Sequence, residues 1–143
     1  EARGAMLAGS CLSGIAFLKG LGLVHAISHM VGAEYDTQHG LTNAVVLPAA
    51  LRHNAPALAD KIEPLSQAMG LRDTSFEAFY AHVCAILDQV GIPKTLTDIG
   101  VPSDCAARIA DKALQDSAAG TNACALTAKD IERVIAVALT KGR

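Results

Sequence analysis

Apolar residues recur along this chain at steps of three and four, the spacing of an amphipathic α-helix. The clearest segment begins with a capping box at residues 74–77 and ends at Gly91 and Pro93. No alternating strand pattern extends over more than a few residues. The pattern therefore predicts an all-α fold, a helical bundle. The residues expected to face inward in this segment are Phe76, Phe79, Tyr80, Val83, Leu87 and Val90.

Further helices are predicted on both sides of this segment. Residues 41–53 should form one that tolerates or bends at Pro48, whereas Pro64 should divide residues 57–69 into two short pieces. Ser103 is a candidate cap for another helix, and residues 127–130 are expected to open the last one. The apolar residues 5–18 are interrupted by glycine and serine, which favours a buried helix packed through small side chains.

The composition fits one domain and narrows the range of partners. A chain of 143 residues can bury a core without help from disulfides, so we expect a single helical domain over residues 1–143. Its residues are 51% hydrophobic but only 3% aromatic, so aliphatic side chains must build the core. The net charge of −2 without a basic run argues against nucleic acid or an anionic membrane as partner. The N-terminal apolar run is also shorter than the roughly 20 residues of a membrane span.

The four cysteines are spread along the chain and show no metal-binding or redox spacing. They are Cys11, Cys84, Cys105 and Cys124. Each lies in an otherwise apolar helical pattern, so we expect reduced, buried thiols rather than a disulfide pair. Such thiols are typical of a cytoplasmic protein.

Residues 22–40 contain three of the five histidines. His25 and His29 are four residues apart and should lie one turn apart on the same helix face. Gly32 is expected to end that helix, after which a loop returns His39 to the same place, with Gly40 leaving room for a close approach. Convergent imidazoles suit zinc, iron(II), copper or nickel. No glutamate stands between the first two histidines, so a zinc peptidase is not indicated. The alternative is a set of hydrogen-bonded histidines in a helical core.

The histidines belong to a longer pattern, which reads Gly22-x-x-His25-x-x-x-His29-x-x-Gly32, followed by His39-Gly40-x-x-Asn43-Ala44-x-x-Leu47-Pro48. This pattern closely resembles the signature of the iron-containing (group III) alcohol dehydrogenases. The resemblance extends over essentially the whole chain, as the dehydroquinate synthase-like, C-terminal helical half of such an enzyme. Residues 1–18 resemble the helix before the signature, and residues 121–127 resemble the stretch that usually carries Asn-Pro-Arg.

This resemblance implies an NAD- or NADP-dependent enzyme that interconverts small alcohols and aldehydes. A divalent metal, Fe(II) or Zn, would lie between a nucleotide-binding domain and the helical domain. His25 and His39 match the two metal ligands that the signature contributes. His29 matches a histidine close to the nicotinamide and the substrate, and is therefore the candidate catalytic and cofactor-binding residue.

The chain also departs from the family pattern. The aspartate and first histidine ligand, together with the nucleotide-binding domain, would precede Glu1 and are absent. Because two neutral imidazoles alone make a weak site, we expect the isolated, truncated chain to hold metal poorly and to lack activity. Gln38 and Ala123 replace prolines of the family pattern, which should alter local loop shape only.

Two alternatives to the enzyme fragment remain open. The chain is then either a noncatalytic helical domain whose copies associate as a homo-oligomer through exposed apolar surface, or a small independent metal-binding protein.

Overall fold

The computed structural model describes all 143 residues and contains seven α-helices and no strand. The all-α expectation is therefore confirmed. Four short 3₁₀ segments, Phe17–Lys19, Ala55–Leu58, Thr97–Ile99 and Ala119–Thr121, join or extend the helices. The helices are α1 (Ala2–Ala16), α2 (Leu23–Tyr35), α3 (His39–Asn54), α4 (Ala59–Ala68), α5 (Phe76–Gln89), α6 (Ala106–Leu114) and α7 (Ala128–Thr140).

The core lies between α2, α3, α6 and α7. Helix α2 packs on α3 and α6, and α7 packs on α3 and α6, so the four helices enclose one apolar interior. Ile27, Val45, Ile109 and Ile135 come from these four helices in turn, and each is completely buried. As the composition indicated, the side chains of this core are aliphatic.

Helices α4 and α5 form a smaller layer beside α3. Helix α4 continues through Pro64, so the expected division at that proline is wrong; the break lies earlier, where a 3₁₀ turn precedes Ala59. Buried Ile62 holds α4 in the fold despite the hydrogen bond that a proline removes. Ser75, not Thr74, caps α5, by accepting a hydrogen bond from the backbone N–H of Ala78.

Helices α6 and α7 begin differently. The expected cap at Ser103 is wrong, because α6 follows Cys105 and has no side-chain cap. The capping box before α7 is confirmed: the Asp130 N–H donates to Thr127 Oγ1, and Asp130 Oδ2 accepts from the Thr127 N–H at 3.0 Å. This reciprocal pairing fixes where the last helix starts.

Helix α1 lies outside the core, so the expected burial of residues 5–18 is wrong. None of its residues is buried, and a Cβ added at Gly4, Gly9 or Gly14 would meet no heavy atom within 4 Å. The small residues therefore pack against nothing in this chain. No single helix has the length and hydropathy of a membrane span. Residues 2–19 and 23–35 have that length and hydropathy only when taken together, and the two segments are bent by 99° relative to each other. The large apolar side chains exposed in and just after α1 are Met6, Leu7, Leu12, Ile15, Phe17 and Leu18.

All four cysteines are free thiols, but their expected burial holds only for Cys105. Cys11 is exposed because α1 is exposed, whereas Cys84 and Cys124 are half-buried. Burial raises the pKa of the Cys105 thiol.

An ion-pair network joins α2 to α6 on the surface. Glu34 accepts hydrogen bonds from Lys112 Nζ at 2.8 Å and Arg108 Nε at 2.6 Å. The Tyr35 hydroxyl donates to the same carboxylate at 3.0 Å. The hydrogen bonds from Lys112 and then Arg108 lower the pKa of Glu34 from 4.5 to about 2.

We expect Glu34→Gln to reduce stability at neutral pH and to have little effect in strong acid. Because the pKa of Glu34 is lower in the folded chain, its stabilising contribution is present above pH 4.5 and is lost as the pH falls towards 2. Urea unfolding of parent and variant between these limits measures the difference. Glu132→Gln, a change at an exposed carboxylate on α7, is the control. Its difference in unfolding free energy from the parent should not depend on pH in this way. A constant difference across the range would contradict the prediction.

Candidate metal and cofactor site

The three histidines of residues 22–40 meet at one place between α2 and α3. The ring centroids of His25 and His29 are 5.7 Å apart, and His39 lies 5.3 Å from the first and 5.4 Å from the second. The rings of His29 and His39 are nearly parallel, with an interplanar angle of 16°. The convergence predicted from their spacing is therefore confirmed.

The loop before α2 fixes where this helix starts and thereby places His25 in its first turn. Gly20 and Gly22 have φ values of +100° and +82°, which favour glycine. A Cβ at Gly20 would lie only 2.4 Å from the Thr121 Cβ. Asn122 Oδ1 accepts a hydrogen bond from the Leu23 N–H at 3.1 Å, so the loop after α6 supplies the cap of α2.

The turn from α2 to α3 then returns the chain to the first two histidines. The sequence predicted that Gly32 ends α2, and this is wrong. The helix continues to Tyr35, and Asp36 adopts the left-handed conformation with φ of 53°. Aspartate tolerates this conformation better than most residues. The Gln38 side chain caps α3 by accepting from the Leu41 N–H, which makes His39 the first residue of that helix.

Asn43 lies between the two predicted metal ligands. Its Nδ2 is 3.2 Å from His25 Nε2 and 3.1 Å from His39 Nε2. As an N–H donor, this amide requires lone pairs on both ring nitrogens, so the two Nε2 atoms face one shared point. Asn43 Oδ1 is buried and has no hydrogen-bond partner. A buried acceptor without a partner is costly, so this oxygen is available to a donor or a cation next to the two imidazoles.

Ser28 also favours a His39 ring that carries its proton on Nδ1 and not on Nε2. Ser28 is completely buried, and its hydroxyl donates to the His25 carbonyl at 3.4 Å. Its oxygen is then available to the Nδ1–H of His39, 3.5 Å away. A proton on Nδ1 leaves Nε2 unprotonated, as a metal ligand must be.

His29 has a different partner from the other two histidines. Its Nδ1 lies 3.0 Å from Asp116 Oδ2, on the loop after α6. The other carboxylate oxygen of Asp116 accepts from the Ala118 N–H at 2.8 Å, which orients the carboxylate. An aspartate that accepts a hydrogen bond from Nδ1–H fixes the orientation of the imidazole and leaves the Nε2 lone pair on the opposite side of the ring.

The electrostatics of the cluster favour a neutral His25. Burial lowers the pKa of His25 first, and the neighbouring His39 and His29 lower it further; Asp116 acts in the opposite direction. A neutral imidazole keeps the lone pair that a cation can bind.

These residues fit one part of a divalent metal site. Two unprotonated imidazole nitrogens directed at one point, beside a buried unpaired oxygen, are suitable donors for Fe(II) or zinc. No group of three His, Cys, Asp or Glu side chains in the structure has an arrangement that would hold a metal ion. The cluster thus offers two imidazole donors and no anionic one.

An open, mainly apolar cavity adjoins the cluster. Its volume is about 420 Å³, enough for a small organic molecule. The edge of Phe17 contacts the ring of His25, with centroids 5.8 Å apart at 78°. The residues that line the cavity include Leu21, Val24, His25, Gly40, Asn43 and Leu47.

Sequence reasoning gave no role to several residues of this site. Asn43 stands in the family signature, four residues after His39. This helical spacing could have indicated that the two side chains are neighbours. Ser28 lies between His25 and His29, but nothing in the spacing indicated that it turns towards α3. Asp116 is 87 residues from His29, and no local signal could have paired them.

The chain matches known proteins along nearly its whole length. The profile of the C-terminal domain of the Fe-containing alcohol dehydrogenase family matches residues 1–139. The chain belongs to this family. The family resemblance of the histidine signature is thereby confirmed, and the helical bundle is its C-terminal domain.

Similar enzymes from Escherichia coli and Klebsiella pneumoniae support this assignment. The lactaldehyde reductase of Escherichia coli K12 is 35% identical over 133 residues, which cover 88% of this chain and 35% of that protein. The 1,3-propanediol dehydrogenase of Klebsiella pneumoniae is 36% identical over 129 residues, covering 85% and 33%. The chain therefore spans about a third of the length of these relatives.

Solved structures of the family share the fold. The crystal structure of a 1,3-propanediol oxidoreductase superposes with a TM-score of 0.79 at 32% identity, covering 83% of this chain and 33% of that one. An alcohol dehydrogenase from Oenococcus oeni superposes with a TM-score of 0.74, also at 32% identity, over 82% and 32% of the two chains. Both resemble this chain in fold and in sequence.

Proposed function

We propose that this chain is the metal-binding half of an NAD(P)-dependent alcohol dehydrogenase that interconverts small alcohols and aldehydes. The observation that carries the proposal is the meeting of His25 Nε2 and His39 Nε2 at Asn43, next to an apolar cavity. Family membership supports it, since relatives include a lactaldehyde reductase and a 1,3-propanediol dehydrogenase.

In this proposal the three histidines divide the chemistry. His25 and His39 hold the divalent metal, Fe(II) or Zn. When bound, the metal supplies Lewis acidity to the oxygen of the alcohol or aldehyde. His29, with Asp116 on its Nδ1, faces the nicotinamide and substrate and takes up or returns a proton at Nε2. The apolar cavity orients a small substrate for hydride transfer, and the nicotinamide provides the hydride.

The isolated chain should nevertheless be a poor catalyst. Two neutral imidazoles provide no anionic ligand, and the chain contains no glycine-rich turn for the phosphates of a dinucleotide. We therefore expect weak metal binding and no alcohol-dependent reduction of NAD(P) by this polypeptide alone.

A fusion protein tests the proposed function. The upstream two-thirds of the Escherichia coli lactaldehyde reductase, joined to this chain, should restore oxidation of NADH or NADPH by a small aldehyde in the presence of Fe(II) or Zn. His25→Ala and His39→Ala should abolish that activity, whereas His82→Ala on α5 should leave it intact. A fusion that folds and binds nucleotide and metal, but shows no aldehyde-dependent oxidation, would overturn the proposal.

A second candidate function is favoured by helix α1. Its exposed apolar side chains form a surface whose contact with water is unfavourable. Two copies of the chain can therefore associate through this surface as a homo-oligomer. Light scattering at high concentration should then give a mass above that of the monomer. The double variant Leu7→Glu and Ile15→Glu should be monomeric, while Leu65→Glu on α4, also at an exposed leucine, should not change the mass. A monomeric parent chain would exclude this candidate.

A further inference from the structure

A second group of reactive side chains lies away from the three-histidine cluster, where α3 ends and the loop before α7 passes it. Cys124 Sγ is 3.7 Å from His53 Nε2. The same sulfur is 3.5 Å from Asn122 Nδ2, which donates to it, and 3.4 Å from Asn54 Oδ1. Neither the cysteine nor His53 has a role in the proposed dehydrogenase chemistry.

The two asparagines hold the sulfur next to the imidazole. Asn122 Nδ2 donates to Asn54 Oδ1 at 2.8 Å, and Asn54 Nδ2 donates to Asn122 Oδ1 at 2.9 Å. Asn122 Nδ2 also donates to the Cys124 carbonyl at 3.1 Å. The thiol proton has two acceptors, His53 Nε2 and Asn54 Oδ1, and only the imidazole becomes a cation by taking it.

The surroundings of the pair suit a reacting thiol. Cys124 lines a cavity of about 440 Å³, together with Leu114 and Leu126, so a small molecule can approach the sulfur. On the other side, His53 lines a cleft with Arg52 and Arg133. A partly exposed thiol beside an imidazole is an environment in which cysteines react. Asp130 is the nearby negative charge, and His53 lowers its pKa as a minor cause.

We propose that Cys124 and His53 form a site of reversible thiol modification by low-molecular-weight disulfides. The thiol proton moves from Sγ to His53 Nε2, and the thiolate attacks one sulfur of the disulfide. A bond forms between Sγ and that sulfur, and the original S–S bond breaks. The leaving thiolate takes the proton from the imidazolium. Cys124 is thereby oxidised, and the departing half of the reagent is reduced.

The other cysteines provide internal references for this site. Cys11 is exposed on α1, so access alone would make it react first, and Cys105 is buried. Neither has a histidine among its hydrogen-bond partners. A preference for Cys124 over Cys11 therefore reports the effect of its neighbours rather than of exposure.

The experiment uses the full chain, glutathione disulfide at neutral pH and peptide mass spectrometry of each cysteine over time. We expect the adduct to form on Cys124 faster than on Cys11. Because His53→Gln removes the proton acceptor, it should lower the rate of adduct formation on Cys124 by at least about tenfold. His82→Gln is the matched control and should leave the rate unchanged. The Cys11 rate, together with circular dichroism, shows whether His53→Gln folds normally.

Two results would overturn the proposal. One is an adduct that forms on Cys11 faster than on Cys124 in the parent chain. The other is an equal Cys124 rate in the parent and in His53→Gln. Should His53→Gln fail to fold, His53→Asn takes its place and the same comparison applies.

Discussion

Replacing His39 with alanine should weaken binding of divalent metal to this chain more than any other single histidine substitution except His25→Ala. Loss of a residue that only supports a ligand usually costs about 10–100-fold in metal affinity, and loss of a ligand should cost at least as much. Because the parent chain supplies only two ligands, we expect its weak zinc binding to fall below detection in either variant. Calorimetric titration with zinc measures the difference.

The remaining histidines make this test specific. His29→Ala should retain most of the parent affinity, since His29 pairs with Asp116 rather than with Asn43. His82→Ala, on α5, should not change the affinity at all. An affinity lost equally in His29→Ala and His39→Ala would show that the three imidazoles bind as a set, and would remove the distinct role proposed for His29. Unchanged binding in His39→Ala would exclude a metal site at this cluster, including that of an independent metal-binding protein.

The largest effect on stability is expected for Ile135→Ala. Ile135 is completely buried on α7, at the centre of the four-helix core. Truncation of a buried isoleucine removes apolar burial and leaves a cavity, which typically costs about 2–5 kcal/mol. A domain with a total stability of about 5–15 kcal/mol would lose much of its margin. Urea unfolding followed by circular dichroism measures the change in the free energy of unfolding.

Val137→Ala is the matched control for this prediction. Val137 lies two residues away on α7 but is 37% exposed, so its truncation leaves no enclosed cavity. We expect it to change the unfolding free energy much less than Ile135→Ala. Similar losses in the two variants would contradict the assignment of the core to this face of α7.

The convergence of His25 with His39 and the helical class were predictable because they depend on local geometry. A spacing of four places two histidines one turn apart on a helix, and the short connection after α2 limits how far His39 can lie from them. The capping box at α7 was predictable for the same reason, since Thr127 and Asp130 are three residues apart. Metal binding itself stays a prediction, as do the roles assigned to the individual histidines.

Features that depend on distant parts of the chain were not predictable. The pairing of His29 with Asp116 and the capping of α2 by Asn122 each join residues about 90–100 positions apart, and the sequence has no local pattern for such contacts. Gly32 was a plausible helix end, but glycine is also accepted inside a helix at a modest cost. Asp36 took the left-handed position instead.

The sequence by itself determined the helical period, the family signature and the approach of His25 to His39, because each is set by residues close together along the chain. Only the tertiary structure decided that α1 lies outside the core, that Asn43 lies between the Nε2 atoms of His25 and His39, and that Cys124 adjoins His53. Burial and contact between separate helices depend on how all the apolar faces pack at once, and an amphipathic pattern does not specify which face meets which.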